Sequence, residues 1–296
     1  MALFPSFSII IPAYNRPERL SNCLQALCQL HYPRDRFEVV IVDDGSPTPL
    51  ESVVHPFRTA LTLTFIRQPN AGPATARNTG AAAAKSEYLA FTDDDCMPSP
   101  NWLSGFATEL AKESNAMVGG RSLNALPRNP YSTASQALID YLYAYYNNPH
   151  KEMFFASNNI AMSQKNYLKV GGFNTSFPLA AAEDRELCDR WHQNDLPMRY
   201  APSVTIRHAH HLSLKSFWRQ HFGYGRGAFC FHQVRSQRNR KPIKVEPVKF
   251  YTDLFIYPLS RKDVKFPWIV SILFFLSQLA TTTGFLWERS FHKKAA

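Results

Sequence analysis

No run of glycines in this sequence forms a G-x-x-x-x-G-K-[ST] loop or a G-x-G-x-x-G turn, so phosphates are not held in the two ways those motifs describe. Cysteine is sparse and unpaired in pattern. Cys23, Cys28, Cys96, Cys188 and Cys230 are odd in number, scattered and free of any C-x-x-C, which excludes a disulfide framework and a zinc ribbon and fits a reducing compartment. Internal repeats and low-complexity tracts are missing too. The N-terminal stretch has no basic n-region, and its apolar run Phe7 to Ile11 is too short for a signal peptide, so it reads as a first β-strand.

Acidic residues are scarce in one place. Residues 199–265 carry 14 Lys and Arg against 3 Asp and Glu, a net +11, whereas residues 1–198 are net −3 and residues 266–296 net +2. A basic band of that strength attracts nucleic acid, anionic lipid or phosphorylated substrates, and charge alone does not choose among them. The band ends at a segment with no charge at all, Phe266 to Trp287. As a helix it would reach roughly 30 Å, about the hydrocarbon thickness of a bilayer. Arg261, Lys262 and Lys265 precede it, Arg289, Lys293 and Lys294 follow, and Trp268 and Trp287 sit at its ends. Gln278 and the Thr281-Thr282-Thr283-Gly284 run are poor membrane residues. Both a membrane-associated helix, spanning or interfacial, and a helix packed on one face as a terminal core helix or dimer contact fit this pattern.

The first hundred residues alternate. Strands are expected at Phe7–Ile11, Phe37–Val42, Leu61–Arg67 and Glu87–Thr92, with a helix opened by Pro17 and running through Leu20, Leu24 and Leu27, and an alanine-rich helix at Ala74–Lys85. This βαβ order implies an α/β fold with a mostly parallel sheet flanked by helices. Ligands in such sheets bind at the carboxyl ends of strands. Three of those ends are polar: Ala13-Tyr14-Asn15-Arg16, Asp43-Asp44-Gly45-Ser46 and Asp93-Asp94-Asp95. Like charges held together on a strand end need a cation, and a hard divalent ion, Mn²⁺ or Mg²⁺, can share protein carboxylates with a diphosphate. On an extended stretch Asp93 and Asp95 would face one side and Asp94 the other.

With these residues in view, the sequence resembles the inverting family 2 glycosyltransferases, whose nucleotide-sugar domain has the GT-A fold. The matching stretches are SIIIPAYNR, FEVVIVDDGS, NAGPATARNTGAAAA, YLAFTDDDCMPSPNWL and GGFNTSFPLAAAEDRELCDRW, in order within residues 7–191. The resemblance implies that Pro12, Tyr14 and Arg16 line a nucleoside pocket, that Asp44 binds the base, and that Arg77 approaches base or phosphates. It makes Asp93 and Asp95 a D-x-D element, with Asp95 the direct metal ligand, Asp93 nearer the ribose and His208 or His210 completing the metal site. Asp94 and Glu183 join the substrate-binding set, Asn158 (beside Asn159) the donor-sugar wall, and Asp184 becomes the general base. Arg219, Tyr224 and Arg226 resemble the acceptor-side segment, although the processive synthases' Q-x-x-R-W pattern is absent. The tyrosines Tyr141, Tyr143, Tyr145 and Tyr146 read either as an acceptor wall or as helix packing.

The expected organisation is a GT-A catalytic domain over residues 1–210, nucleotide-sugar binding to about 100 and acceptor binding beyond it. A basic acceptor-side or membrane-facing segment follows at 211–265, then a hydrophobic C-terminal helix and basic tail at 266–296. The expected partners are a nucleoside diphosphate sugar, a saccharide or lipid-linked acceptor and a membrane surface, with no nucleic acid. The expected setting is the cytoplasmic face of the inner or plasma membrane, in envelope, exopolysaccharide or glycolipid synthesis. Transfer onto a soluble acceptor, and a non-catalytic nucleotide- or nucleic-acid-binding module, are the alternatives.

Overall fold

A computed structural model describes residues 4–147, 154–177, 181–239 and 246–295. The chain opens with β1 (Phe7–Ala13), α1 (Pro17–Leu27), β2 (Phe37–Asp43), the single turn α2 (Glu51–Val54), β3 (Leu63–Arg67), α3 (Pro73–Ala83) and β4 (Tyr88–Phe91). Every residue of β1, β2 and β4 is buried, as expected of strands covered on both faces. Pro17 stands at the first turn of α1, and Leu20, Cys23, Leu24 and Leu27 form its buried stripe at helical spacing. The expected elements are present with ends shifted by one or two residues.

The chain continues through β5 (Cys96–Pro98), α4 (Trp102–Lys112), β6 (Met117–Asn124), α5 (Pro130–Tyr146), β7 (Ile160–Ser163), α6 (Gln164–Val170), α7 (Glu183–Gln193) and β8 (Met198–His208). The eight strands form one sheet in the order β3-β2-β1-β4-β7-β6-β8-β5. The run β3-β2-β1-β4 is parallel; β7 is antiparallel to both β4 and β6, and β5 to β8. The sheet is therefore mixed, and its parallel part is the half whose βαβ rhythm shows in the sequence.

Two registers place chemistry. Ala13 pairs with Asp43 and Ile10 with Phe91, so the loops after β1, β2 and β4 leave the same rim. Cys96 pairs with His208, which brings the end of β8 against the aspartate run.

The described residues divide into two compact units. The first lies within residues 1–123, 149–178 and 184–209 and contains the sheet, around a core that includes Ile9, Ile11, Leu24, Val39, Ile41, Trp102, Phe106 and Ile206. The second lies within 124–148, 179–183 and 210–296 and is helical: α5, α8 (Leu214–Asn239), α9 (Val248–Ser260) and α10 (Pro267–Ala295). Its core joins Ala137, Tyr141, Phe217, Phe250, Leu254, Val270, Leu273 and Phe274. Tyr141 is buried there and donates to the Phe250 carbonyl at 2.6 Å, while Tyr145 and Tyr146 donate to Glu246, so the tyrosine run packs this unit. Residues 240–245 of the basic segment, and the side chains of Lys293 and Lys294, lie outside the described residues.

Among the described residues α10 alone is long and apolar enough to cross a bilayer, which suits membrane association, and a third of its most apolar stretch is buried.

Candidate active site

Asp43 and Asp44 end β2 and do different work. Asp43, fully buried, accepts from the backbone amides of Ser46 at 2.9 Å and Leu50 at 3.3 Å and so folds the loop after the strand. Asp44 accepts from the Gln68 side chain at 2.7 Å and from the amides of Ala71 at 3.0 Å and Gly72 at 2.8 Å. Its carboxylate thus clamps the 68–72 loop, a task beyond the base contact that the resemblance implies. Gly45 between them has φ +77°, and a Cβ there would lie 2.6 Å from the Asn70 backbone nitrogen, so glycine is required on both counts. Asn15, also at positive φ, donates its amide to Ser46 Oγ at 2.8 Å. Pro12 is buried and Tyr14 exposed on this rim.

The aspartate run is a tight turn between β4 and β5, closed by the Cys96 amide on the Asp93 carbonyl at 3.1 Å. That turn corrects the expected alternation. Asp94 does not point away from its neighbours' partners: Arg16 Nη1 lies 3.1 Å from Asp94 and 3.3 Å from Asp95, while Asp93 is drawn to Arg77 at 2.8 Å. The period-two rule fails because these residues are not in a strand. Burial pushes the Asp94 carboxyl up to about 7; Arg16 opposes this, and Asp95 and Asp93 add to it.

Asp95 is the most heavily coordinated of the three. Besides Arg16 it takes Arg19 at 3.1 Å and His208 Nε2 at 3.2 Å, and its carbonyl accepts from the Ala209 amide at 2.8 Å. Burial works to lower the His208 pKa, but the facing Asp95 prevails and raises it. β8 ends at His208, so strand geometry does not extend to His210, whose carbonyl accepts from Ser132 Oγ within the second unit.

Asp95, His208 and Cys96 offer ligand atoms that all lie within 4.8 Å of one another. The carboxylate and imidazole suit a hard or borderline divalent cation. Cys96 does not: it is a soft donor, fully buried, and burial holds its thiol well above the ordinary value, with Asp95 and Asp93 adding to the rise. Asp93, whose side chain is 29% exposed, is the more open carboxylate of the run. The donor set of Asp95 and His208 is of a kind that fits a divalent metal.

Arg77 comes up from α3 with its side chain almost fully buried, bonded to Asp93 and with its guanidinium 5.3 Å from the centre of the Phe173 ring. The next residue, Asn78, fixes that ring's backbone, donating to the Phe173 carbonyl at 2.8 Å and accepting its amide at 2.9 Å. Arg190 secures the same loop through the carbonyls of Val170 and Gly172, held in turn by Glu186. Asp184, in the first turn of α7, accepts from the Arg185 amide at 2.7 Å. Burial raises its pKa; the Arg185 amide, Arg77 and the Ser157 amide pull it back, and Asp93 adds to the rise. Asp184 is therefore in electrostatic reach of the Arg77–Asp93 pair. Glu183 is buried, after Ala182 at φ +72°.

Asn158 and Asn159 separate in role. Asn159 is fully buried and ties strands together, accepting from Trp102 Nε1 at 2.8 Å and donating to the carbonyls of Arg121 and Val204. Asn158 meets Ser122 Oγ at 3.3 Å. Of the acceptor-side residues, Arg226 is bonded to Glu288 at 2.5 Å and stacks on Trp287, and the Tyr224 hydroxyl meets Gln220. Arg19 and Asn78 were not singled out from sequence. Arg19 carries a usable signal, standing three residues after Arg16 in the first turn of α1.

A family model described as glycosyl transferase family 2 matches residues 8–171. That is more than half of the chain, and the chain belongs to this family. Among curated relatives, chondroitin synthase of Escherichia coli is 33% identical over 47% of this chain and 20% of its own length. Glycosyltransferase AglE of Haloferax volcanii is 35% identical over 39% of each. The alignments thus span well under half of these two relatives, and between 12% and 56% of the curated relatives compared. Among solved structures, the mannosyltransferase PcManGT from Pyrobaculum calidifontis, in complex with GDP-Man and Mn²⁺, aligns over 99% of this chain and 80% of its own at TM-score 0.63 and 20% identity. S. aureus TarS 1-349 in complex with UDP aligns over 98% and 92% at TM-score 0.56 and 15% identity. Both likenesses concern the fold, which is of the GT-A type.

Proposed function

We propose that the chain is an inverting glycosyltransferase that moves a sugar from a nucleoside diphosphate sugar to an acceptor hydroxyl. The observation that carries this reading is one cluster in the first unit: the Asp93-Asp94-Asp95 turn, braced by Arg16, Arg19, Arg77 and His208, with Asp184 in electrostatic reach of it. Pro12, Tyr14 and Arg16 would line the nucleoside, Asp44 would bind the base while clamping its loop, and Asn158 would border the sugar. Asp95 and His208, with Asp93, would hold Mn²⁺ or Mg²⁺, which when bound offsets the charge of the departing diphosphate.

In the transfer the acceptor oxygen bonds to the anomeric carbon from the face opposite the nucleoside diphosphate. The bond from that carbon to the diphosphate oxygen breaks, and the electron pair leaves with the diphosphate. Asp184 accepts the hydroxyl proton. Arg77 holds Asp93 in place and lowers the cost of an ionised Asp184. One inversion results.

PcManGT, solved with GDP-Man and Mn²⁺, supports the donor and metal class. The uncharged helix and the basic sequence before it support a membrane-associated protein at the cytoplasmic face of the inner or plasma membrane, acting on a saccharide or lipid-linked acceptor in envelope, exopolysaccharide or glycolipid synthesis. The reading is tested by incubating the protein with candidate donors and Mn²⁺ and following release of nucleoside diphosphate on addition of saccharide or lipid acceptors. Acceptor-dependent release supports it; donor turnover that ignores every acceptor speaks for a different reaction.

A further inference from the structure

Helix α10 has two unlike faces. On the inner face Val270, Leu273, Phe274, Ser277 and Ala280 are buried in the second unit. The backbones of α8 and α10 touch there: a Cβ on Gly225 would strike the Thr281 carbonyl, and one on Gly284 the Phe222 carbonyl. On the outer face Trp268, Ile272, Phe275, Leu279 and Leu286 recur at steps of three, four and seven residues, each between 43% and 72% exposed. An apolar stripe of that length, left largely exposed among the described residues, marks an interaction surface. Lys262 and Lys265, exposed, lead into the helix and Arg289, exposed, stands near its end.

The occupant is set by charge and by the neighbouring helix. Cations at both ends of an apolar stripe complement an anionic lipid surface, where interfacial helices bury one face by about 5–10 Å. Crossing is opposed by α8. Phe217 packs with Val270 and Phe274, and Thr281 Oγ1 bonds the His221 carbonyl at 3.2 Å, so Arg219 rides beside the middle of α10. Arg219 is exposed. A spanning α10 that kept its α8 contact would carry this guanidinium toward the bilayer interior, where an unpaired charge is strongly disfavoured.

We propose that α10 docks in the plane of an anionic membrane surface, outer stripe inserted and inner face kept on α8, without crossing. This deepens the reading of the protein as membrane-associated and rests on it. The test uses the full chain with sealed vesicles of phosphatidylcholine, alone or mixed with phosphatidylglycerol. Co-sedimentation should be strong on the mixed vesicles, weaker on the neutral ones and weakened by salt. Trp268→Glu with Ile272→Glu should lower partitioning roughly tenfold or more, with an unchanged melting temperature because these are the two most exposed positions of the stripe. Cysteines placed at Ser260 and Ser290, both exposed, should react equally with a membrane-impermeant maleimide added outside, measured against the parent chain.

Protection of one of those two cysteines until detergent is added would mean a span and overturn the inference while sparing the membrane reading. No binding to either vesicle would overturn both. Lipid-free dimerisation abolished by the double glutamate variant, with no vesicle binding, would assign the stripe to a second copy and overturn the inference.

Discussion

To serve as the proposed base, Asp184 would have to lose its proton before accepting one from an acceptor hydroxyl, and burial works against that loss. The sign of the pH dependence follows. A base with a raised pKa is inactive below that value, so kcat/KM should climb with pH through an apparent pKa above the ordinary carboxylate value near 4 and level off above it. Asp184→Asn should remove this limb, lowering turnover by about 10²–10⁴-fold while nucleotide binding persists; unchanged turnover would strip Asp184 of the role. Gly45 makes a second residue-scale case. Gly45→Ala places a side chain at φ +77° and against the Asn70 backbone, and should cost about 1–3 kcal/mol of stability and loosen the loop that Asp44 clamps. A melting curve superimposed on that of the parent would contradict this. At this scale the sequence shows which residues matter better than what they touch. The aspartates were visible because like charges gathered after an apolar strand demand cations. Their partners were not, because Arg16 pairing with Asp94 and Asp95, and Arg77 with Asp93, depends on a turn whose geometry no periodicity encodes.

Elements were legible in proportion to their regularity. β1, β2, α1 and α3 announce themselves through uniform burial or helical spacing, and Pro17 fixes where α1 starts. β5, three residues long, has no such signal, yet its register with β8 is what brings His208 to Asp95. In α8, His221 is 1% exposed, packed at a tilt against Phe217, and neither ring nitrogen finds a hydrogen-bond partner among the described residues. Burial lowers its pKa to about 3, with His210 adding to the fall. Its folded pKa lies below its unfolded value, so the contribution to stability is present in full above about 6.5 and is lost as pH falls toward 3. The helical unit should therefore lose stability across that acid window, and His221→Phe should flatten the loss and hold or raise the melting temperature at neutral pH. A variant that melts earlier at pH 7 with the same acid slope would mean that the imidazole makes a contact of value.

For the whole molecule, family and fold were readable because five short stretches keep their order across most of residues 7–191, and the parallel half-sheet follows from their βαβ alternation. The antiparallel strands β7 and β6 and the gathering of residues 124–148 with the C-terminal helices were not, since both depend on contacts between distant segments. The central claim is that the aspartate turn binds a nucleoside diphosphate through a divalent metal. The most direct measurement is a thermal-shift panel of UDP-, GDP- and dTDP-sugars with and without Mn²⁺, run on the parent chain and on Asp95→Ala. The account expects one nucleotide class to raise the melting temperature of the parent only when Mn²⁺ is present, and Asp95→Ala to lose that increment. A shift of equal size without metal, or one that Asp95→Ala retains in full, would contradict it.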